Sequence, residues 1–152
     1  MRKKEITRIY LDTCSFNRPF DDQIQLNIKF EAEAKIYIQE LIKEGRLELV
    51  WSYILEYENS VNPFPIRRIA IEKWKTIANI HVFETNMILS IANKISNLGI
   101  KPKDALHLAC AIESKAKYFI TTDKKILNKM KGYSKIFVIN PVDFILKFGD
   151  KK

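Results

Sequence analysis

Short apolar runs alternate with longer stretches of helical periodicity along the whole chain, and this alternation constrains the fold more than any other feature. Arg8-Ile9-Tyr10-Leu11 reads as a strand closed by Asp12-Thr13-Cys14-Ser15, with Asn17, Pro19 and Asp21-Asp22 marking a loop. From about Asn27 to Glu44, the residues Phe30, Ala34, Ile38, Leu41 and Ile42 follow one helical stripe, and Gly45 stands where a C′ residue ends a helix. Leu47, Leu49, Val50 and Trp51 form a second strand. Ser52 can cap a helix through Glu58 that Asn62-Pro63 breaks. A helix near Ile66 to Asn79 carries Ala70, Trp74 and Ile77 on one face, and His81-Val82-Phe83 is strand-like. Asn86 to Leu98 repeats the helical pattern with Met87 or Ile88, Ile91, Ile95 and Leu98, ending at Gly99. Lys101-Pro102-Lys103-Asp104 opens a helix with proline in its first turn, and Ala105, Leu108, Ala109 and Ile112 supply its buried face. Tyr118–Thr121 and Lys135–Ile139 are further strands, and Pro141 starts a closing helix.

Strands separated by helices are βα units, so an α/β fold with a parallel sheet is predicted. The 152 residues hold no linker, repeat or low-complexity tract, which predicts a single domain over residues 1–152. In such sheets ligands bind beyond the carboxyl ends of the strands. Four acids, Asp12, Glu58, Asp104 and Asp123, each lie where an apolar run meets a turn or a helix start. Carboxylates brought separately to one edge repel one another, and a divalent cation relieves that repulsion.

Lys and Arg number 26 against 18 Asp and Glu, a formal net charge of +8 that favours a polyanionic partner. The cations recur as Arg67-Arg68, Lys73, Lys75, Lys101, Lys103, Lys115, Lys117, Lys124 and Lys125, which suits a folded face better than a disordered arm. Cys14 and Cys110 lack CxxC spacing and are expected to be buried free thiols in a reducing cytosol, without zinc or a disulfide. No apolar run is long enough for a membrane span and the start of the chain has no apolar leader core, so a cytoplasmic location is expected. Trp51, Trp74 and the phenylalanines read as core rather than as base-stacking platforms. His107, three residues after Asp104, reads as a hydrogen-bonded, partly buried histidine, and His81 as structural. P-loop, GxGxxG and GxSxG patterns are absent.

Taken in order, YLDTCSFN, WSYILEYEN, KPKDALHLACAI and YFITTDKKI resemble the four motifs of the PIN-domain nucleases, and the resemblance spans essentially the whole chain. It implies a three-layer α/β/α fold with a central parallel sheet of about four to five strands. It also implies that Asp12, Glu58, Asp104 and Asp123 bind one or two Mg²⁺ or Mn²⁺ ions and carry catalysis. The middle motif places Ser six residues before the acid, and from Ser52 that count reaches Glu58 rather than Glu56. Thr121 matches a small polar position that can bond a ligand or phosphate, and Asn17 is a further pocket donor. The activity implied is hydrolysis of RNA by metal-activated water, in relatives that often dimerise. Many of these relatives are toxins held by a small antitoxin protein. The FNRPFDDQ loop and the EYENSVNPF stretch depart from the shortest toxin forms.

Two other readings compete. A catalytically silent PIN-like module would bind RNA or a protein and need no metal. A haloacid-dehalogenase-type phosphatase would also end its first strand in Asp, but its second Asp is replaced here by Cys14.

Overall fold

The computed structural model describes residues 5–21 and 25–149, so Asp22 of the expected loop lies outside the described residues. Its core is a five-stranded, all-parallel sheet in the order β3-β2-β1-β4-β5. The strands are β1 (Thr7–Leu11), β2 (Leu47–Ser52), β3 (Ile80–Val82), β4 (Tyr118–Ile120) and β5 (Phe137–Ile139). Ile9 of β1 lies opposite Leu49 on one side and Tyr118 on the other. Ile9, Tyr10 and Leu11 are all fully buried, as expected for a central parallel strand covered on both faces.

Among the described residues, eight α-helices connect and flank the strands: α1 (Thr13–Asn17), α2 (Leu26–Lys43), α3 (Tyr53–Ser60), α4 (Pro65–Ile77), α5 (Asn86–Ser96), α6 (Pro102–Glu113), α7 (Lys124–Lys129) and α8 (Pro141–Gly149). The right-handed rule for parallel crossovers assigns α2 and α4 to one face of the sheet and α5 and α6 to the other. Accordingly α2 packs along α8 and α5 along α6, which completes the α/β/α layers predicted from sequence. Local signals explain the boundaries. Ser52 ends β2 and caps α3 by accepting from the Leu55 amide at 3.2 Å. Pro102 sits in the first turn of α6, where a missing amide hydrogen costs nothing. Gly45 follows α2 at φ +75°, which a side chain would strain.

Several expectations shift on contact with the fold. Asp12-Thr13-Cys14-Ser15 does not run into a loop: Asp12 caps α1, and a 3₁₀ turn, Arg18–Phe20, follows. On α2 the inward face holds Ala32, Lys35, Ile38, Leu41 and Ile42, while Phe30 points to solvent and Ala34 is half-buried. On α4 it is Ile71 and Trp74 that are buried, with Ala70 half-buried and Ile77 exposed. On α5 Ile88 takes the core position instead of Met87, and Leu98 lies exposed past its end. Ile112 of α6 is half-buried. The phenylalanines are not uniformly core. Phe16, Phe119 and Phe144 are, but Phe20, Phe30, Phe64, Phe83 and Phe137 are exposed because each lies at a turn, an element edge or an outward helix position. His81 is likewise exposed on β3. Cys110 is a buried free thiol, whereas Cys14, on the short α1, is exposed. No helix among the described residues is long and apolar enough to cross a membrane.

Candidate active site

The strand order reverses between β1 and β4, and at such a switch point the loops beyond the carboxyl ends diverge and leave a crevice. Asp12 follows β1 and Asp123 follows β4 at this place. The two ends are tied together, since the Ser15 hydroxyl donates to the Ile120 carbonyl at 2.9 Å. Asp12 is 3% exposed. Its Oδ1 accepts from the Ser15 amide at 3.0 Å and its Oδ2 from the Thr121 hydroxyl. Burial pushes its pKa up to about 6, against the opposing pull of Thr121, His107 and Ser15. Thr121 is fully buried, and its Oγ1 also accepts from the Asp123 amide at 3.1 Å. Its hydroxyl therefore bridges Asp12 and Asp123 inside the protein. Asp123 caps α7, accepting from the amides of Lys125 and Ile126.

Glu58 comes from α3 and turns toward α1 and α6. Its Oε1 accepts from the Thr13 hydroxyl at 2.9 Å and from His107 Nε2. Burial alone would raise the Glu58 pKa, but the His107 bond and charge, with Thr13 and Lys103, outweigh it and hold the group below its ordinary value. Both bonds fall on Oε1, which leaves Oε2 open to a further partner. Glu56 faces away: it accepts from Trp51 Nε1 at 3.1 Å and pairs with Lys75 at 3.2 Å. The α3 geometry thus separates the two glutamates as the count from Ser52 did. Asp104 lies in the first turn of α6 and is half-buried. Burial, then the charges of Asp123 and Glu58, raise its pKa against His107 and Lys101.

The exposed thiol of Cys14 senses all four acids. Its pKa is pushed up to about 12, first by partial desolvation and then by Asp12, Asp123, Asp104 and Glu58. Elements far apart in sequence therefore bring the four predicted carboxylates into one electrostatic neighbourhood. As the side chains stand, no three His, Cys, Asp or Glu residues among those described gather tightly enough to hold a metal ion. Three of the four acids instead hold hydrogen bonds within the protein. The donor chemistry nonetheless fits a hard cation: the site offers carboxylate oxygens, its only nearby thiol is kept protonated, and the His107 ring nitrogens are both engaged.

Sequence reasoning missed the scaffold behind Glu58. His107 is buried, as well as hydrogen-bonded as expected, and its Nδ1 lies 2.6 Å from the Tyr10 hydroxyl, which lies 2.6 Å from Ser52 Oγ. Asn17, the other predicted donor, gives its amide to the Thr13 carbonyl at 3.0 Å.

An all-parallel sheet with acids at its switch point is an architecture that several chemistries share, and the family match decides among them. The chain matches the PIN domain family over residues 9–132 and belongs to that family, whose members are generally nucleases that use divalent metals. Among solved structures it is similar to the crystal structure of PAE2754 from Pyrobaculum aerophilum. The two share 17% identity and a TM-score of 0.53 across 96% of this chain and 98% of that one, a likeness of fold. No curated protein matches the chain in sequence.

Proposed function

We propose that this protein is a Mg²⁺- or Mn²⁺-dependent ribonuclease that hydrolyses RNA phosphodiester bonds, with Asp12, Glu58, Asp104 and Asp123 as its metal-holding and catalytic carboxylates. The observation that carries the reading is the junction at the switch point of the sheet, where the Thr121 hydroxyl joins Asp12 to the start of α7 at Asp123 and Thr13 of the helix that Asp12 caps bonds Glu58. A cation bound there would supply an activated water and neutralise charge developing on phosphorus. Around it, Thr121 aligns Asp12 with the start of α7, His107 and Thr13 fix one oxygen of Glu58, and Asn17, which gives one amide hydrogen to the Thr13 carbonyl, would offer its second to substrate. The net charge of +8 would draw a phosphate backbone toward a pocket whose own charge repels it. A cytoplasmic homodimer restrained by a small antitoxin is the assembly this reading carries with it.

The test is incubation of single-stranded and structured RNA with Mg²⁺, Mn²⁺ or EDTA, beside Asp104→Asn. Cleavage should require metal and vanish in the variant while its circular dichroism is unchanged; cleavage by the variant, or in EDTA, refutes the assignment. One observation favours a second reading, a silent module that binds RNA or a protein: no three acids are gathered for a metal among the described residues. Calorimetric titration with Mn²⁺ separates the two, since a silent module need bind none.

A further inference from the structure

A groove of about 310 Å³ runs beside the acids, with Glu58 itself on its wall. Asn17, Asn62, Phe64, Arg67 and Lys103 supply the rest of its chemistry, from α1, the α3–α4 connection, α4 and the start of α6. Whatever occupies this groove lies against the Glu58 carboxylate.

Two cations on its walls, Arg67 and Lys103, stand over aromatic rings, of which Phe64 is itself on the wall and Phe20 and Tyr57 lie beside the groove. The Arg67 guanidinium stands 4.5 Å from the centre of the Phe64 ring and 5.8 Å from that of Phe20. Arg67 is held in place by Asp21 Oδ1 at 3.3 Å and the Phe20 carbonyl at 2.8 Å. Lys103 Nζ lies 5.4 Å from the Tyr57 ring, next to Glu58 in sequence. Phe64 is 54% exposed and Tyr57 53%, so each ring keeps surface open to a ligand beside the cation it carries. The two asparagines are pre-set: Asn62 Oδ1 accepts from the Phe64 amide at 3.1 Å, and Asn62 Nδ2 reaches Asn17 Oδ1 at 3.4 Å.

Flat π surface, fixed guanidinium and ammonium charge, and amide groups in one groove match the parts of a nucleotide. A base stacks on aromatic rings or on an Arg plane, and its phosphate seeks the cations. We propose that this groove binds an unpaired nucleotide of a single-stranded RNA, with its base on Phe64 and Arg67 and its phosphate toward Lys103. That the nucleotide flanks a bond cleaved at the acids rests on the nuclease reading above. A duplex cannot use the site, because its base faces are already stacked.

Fluorescence anisotropy with a labelled single-stranded oligoribonucleotide in EDTA tests binding apart from cleavage. Phe64→Ala and Lys103→Gln should each weaken binding by about fivefold or more, and Lys103→Gln should lower the salt slope by about one. Phe64→Tyr should restore binding, Lys94→Gln on the outer surface of α5 should leave it unchanged, and duplex RNA should not compete. Thermal melts confirm that the variants fold. Wild-type affinity in Phe64→Ala, equal competition by duplex, or no RNA binding by the wild type overturns the groove. The two readings fail separately. Groove-dependent binding without cleavage in Mn²⁺ removes the nuclease and keeps the groove, whereas cleavage with an unchanged KM in Phe64→Ala does the reverse.

Discussion

His107 Nε2 is hydrogen-bonded to Glu58 Oε1, so a buried ring on α6 fixes an acid on α3. Because Glu58 is held in its ionised form, Nε2 is the donor. Behind it the Tyr10 hydroxyl is shared between His107 Nδ1 and Ser52 Oγ, each at 2.6 Å, and Ser52 Oγ accepts from the Leu55 amide. Such partners orient a metal ligand and commonly change metal affinity by about 10–100-fold. His107→Leu should weaken Mn²⁺ binding by about tenfold, with His107→Gln, which keeps a donor, recovering part of it. Isothermal titration with Mn²⁺ reads both, and unaltered affinity in His107→Leu sinks the relationship.

Asp12 predicts a pH dependence for the metal-free protein. Its folded pKa of about 6 lies above the ordinary value of 3.8, so the fold binds its proton more tightly than the unfolded chain does. The resulting stabilisation is fully present below pH 3.8 and is lost as pH rises through about 6. At neutral pH the buried charge is a burden on the order of 1–3 kcal/mol. In EDTA, Asp12→Asn should therefore be the more stable chain at pH 7.5, and its stability should change less between pH 5 and 7.5. Thermal melts at both values check this; a variant less stable than wild type at pH 7.5 contradicts it.

The order of strands and helices was legible because alternating apolar runs and stripes are local properties, and so were the marks at Ser52, Gly45 and Pro102. The short helices after two of the acids were not. Five residues in α1 and six in α7 are too few to display a helical stripe, and each is started by the carboxylate of the acid before it. The acids were visible as residues at element ends, but their scaffold was not. Tyr10 meets Ser52 and His107 across 42 and 97 residues of sequence, contacts that only the sheet register creates. Phe64 misled because an apolar residue beside a helix start reads as core, whereas here it faces the groove.

Lys115 holds the C′ position after α6 at φ +62°, a left-handed conformation that strains a side-chain-bearing residue. Its amide reaches the Ile112 carbonyl and that of Ala116 the Ala111 carbonyl, both at 3.0 Å. The same pair of bonds closes α2, from Gly45 to Ile42 and from Arg46 to Leu41, with glycine in the strained place. Lys115→Gly should raise stability by about 0.5–1 kcal/mol, and Lys115→Ala, which keeps the strain, should not. Urea unfolding distinguishes them, and equal effects of the two would exclude strain as the cause.

Lys35 is fully buried on α2, and among the described residues no carboxylate pairs with it. Its amine lies 4.6 Å from the centre of the Phe16 ring and 5.3 Å from that of Trp74. It also donates to the Gln39 amide oxygen when that amide is turned to accept from Trp74 Nε1 as well. Burial, and next the charge of Lys43, hold its pKa well below the ordinary value. For a base shifted down, the folding cost is absent above the unfolded pKa and grows as pH falls through it. Lys35→Met keeps the aliphatic stem and leaves Gln39 its bond from Trp74. It should stabilise the protein at pH 7 by on the order of 1–3 kcal/mol, with the gain shrinking toward pH 10. Urea unfolding at both pH values provides the check, and a destabilised variant at pH 7 would mean that the two ring contacts outweigh the cost of burying the amine.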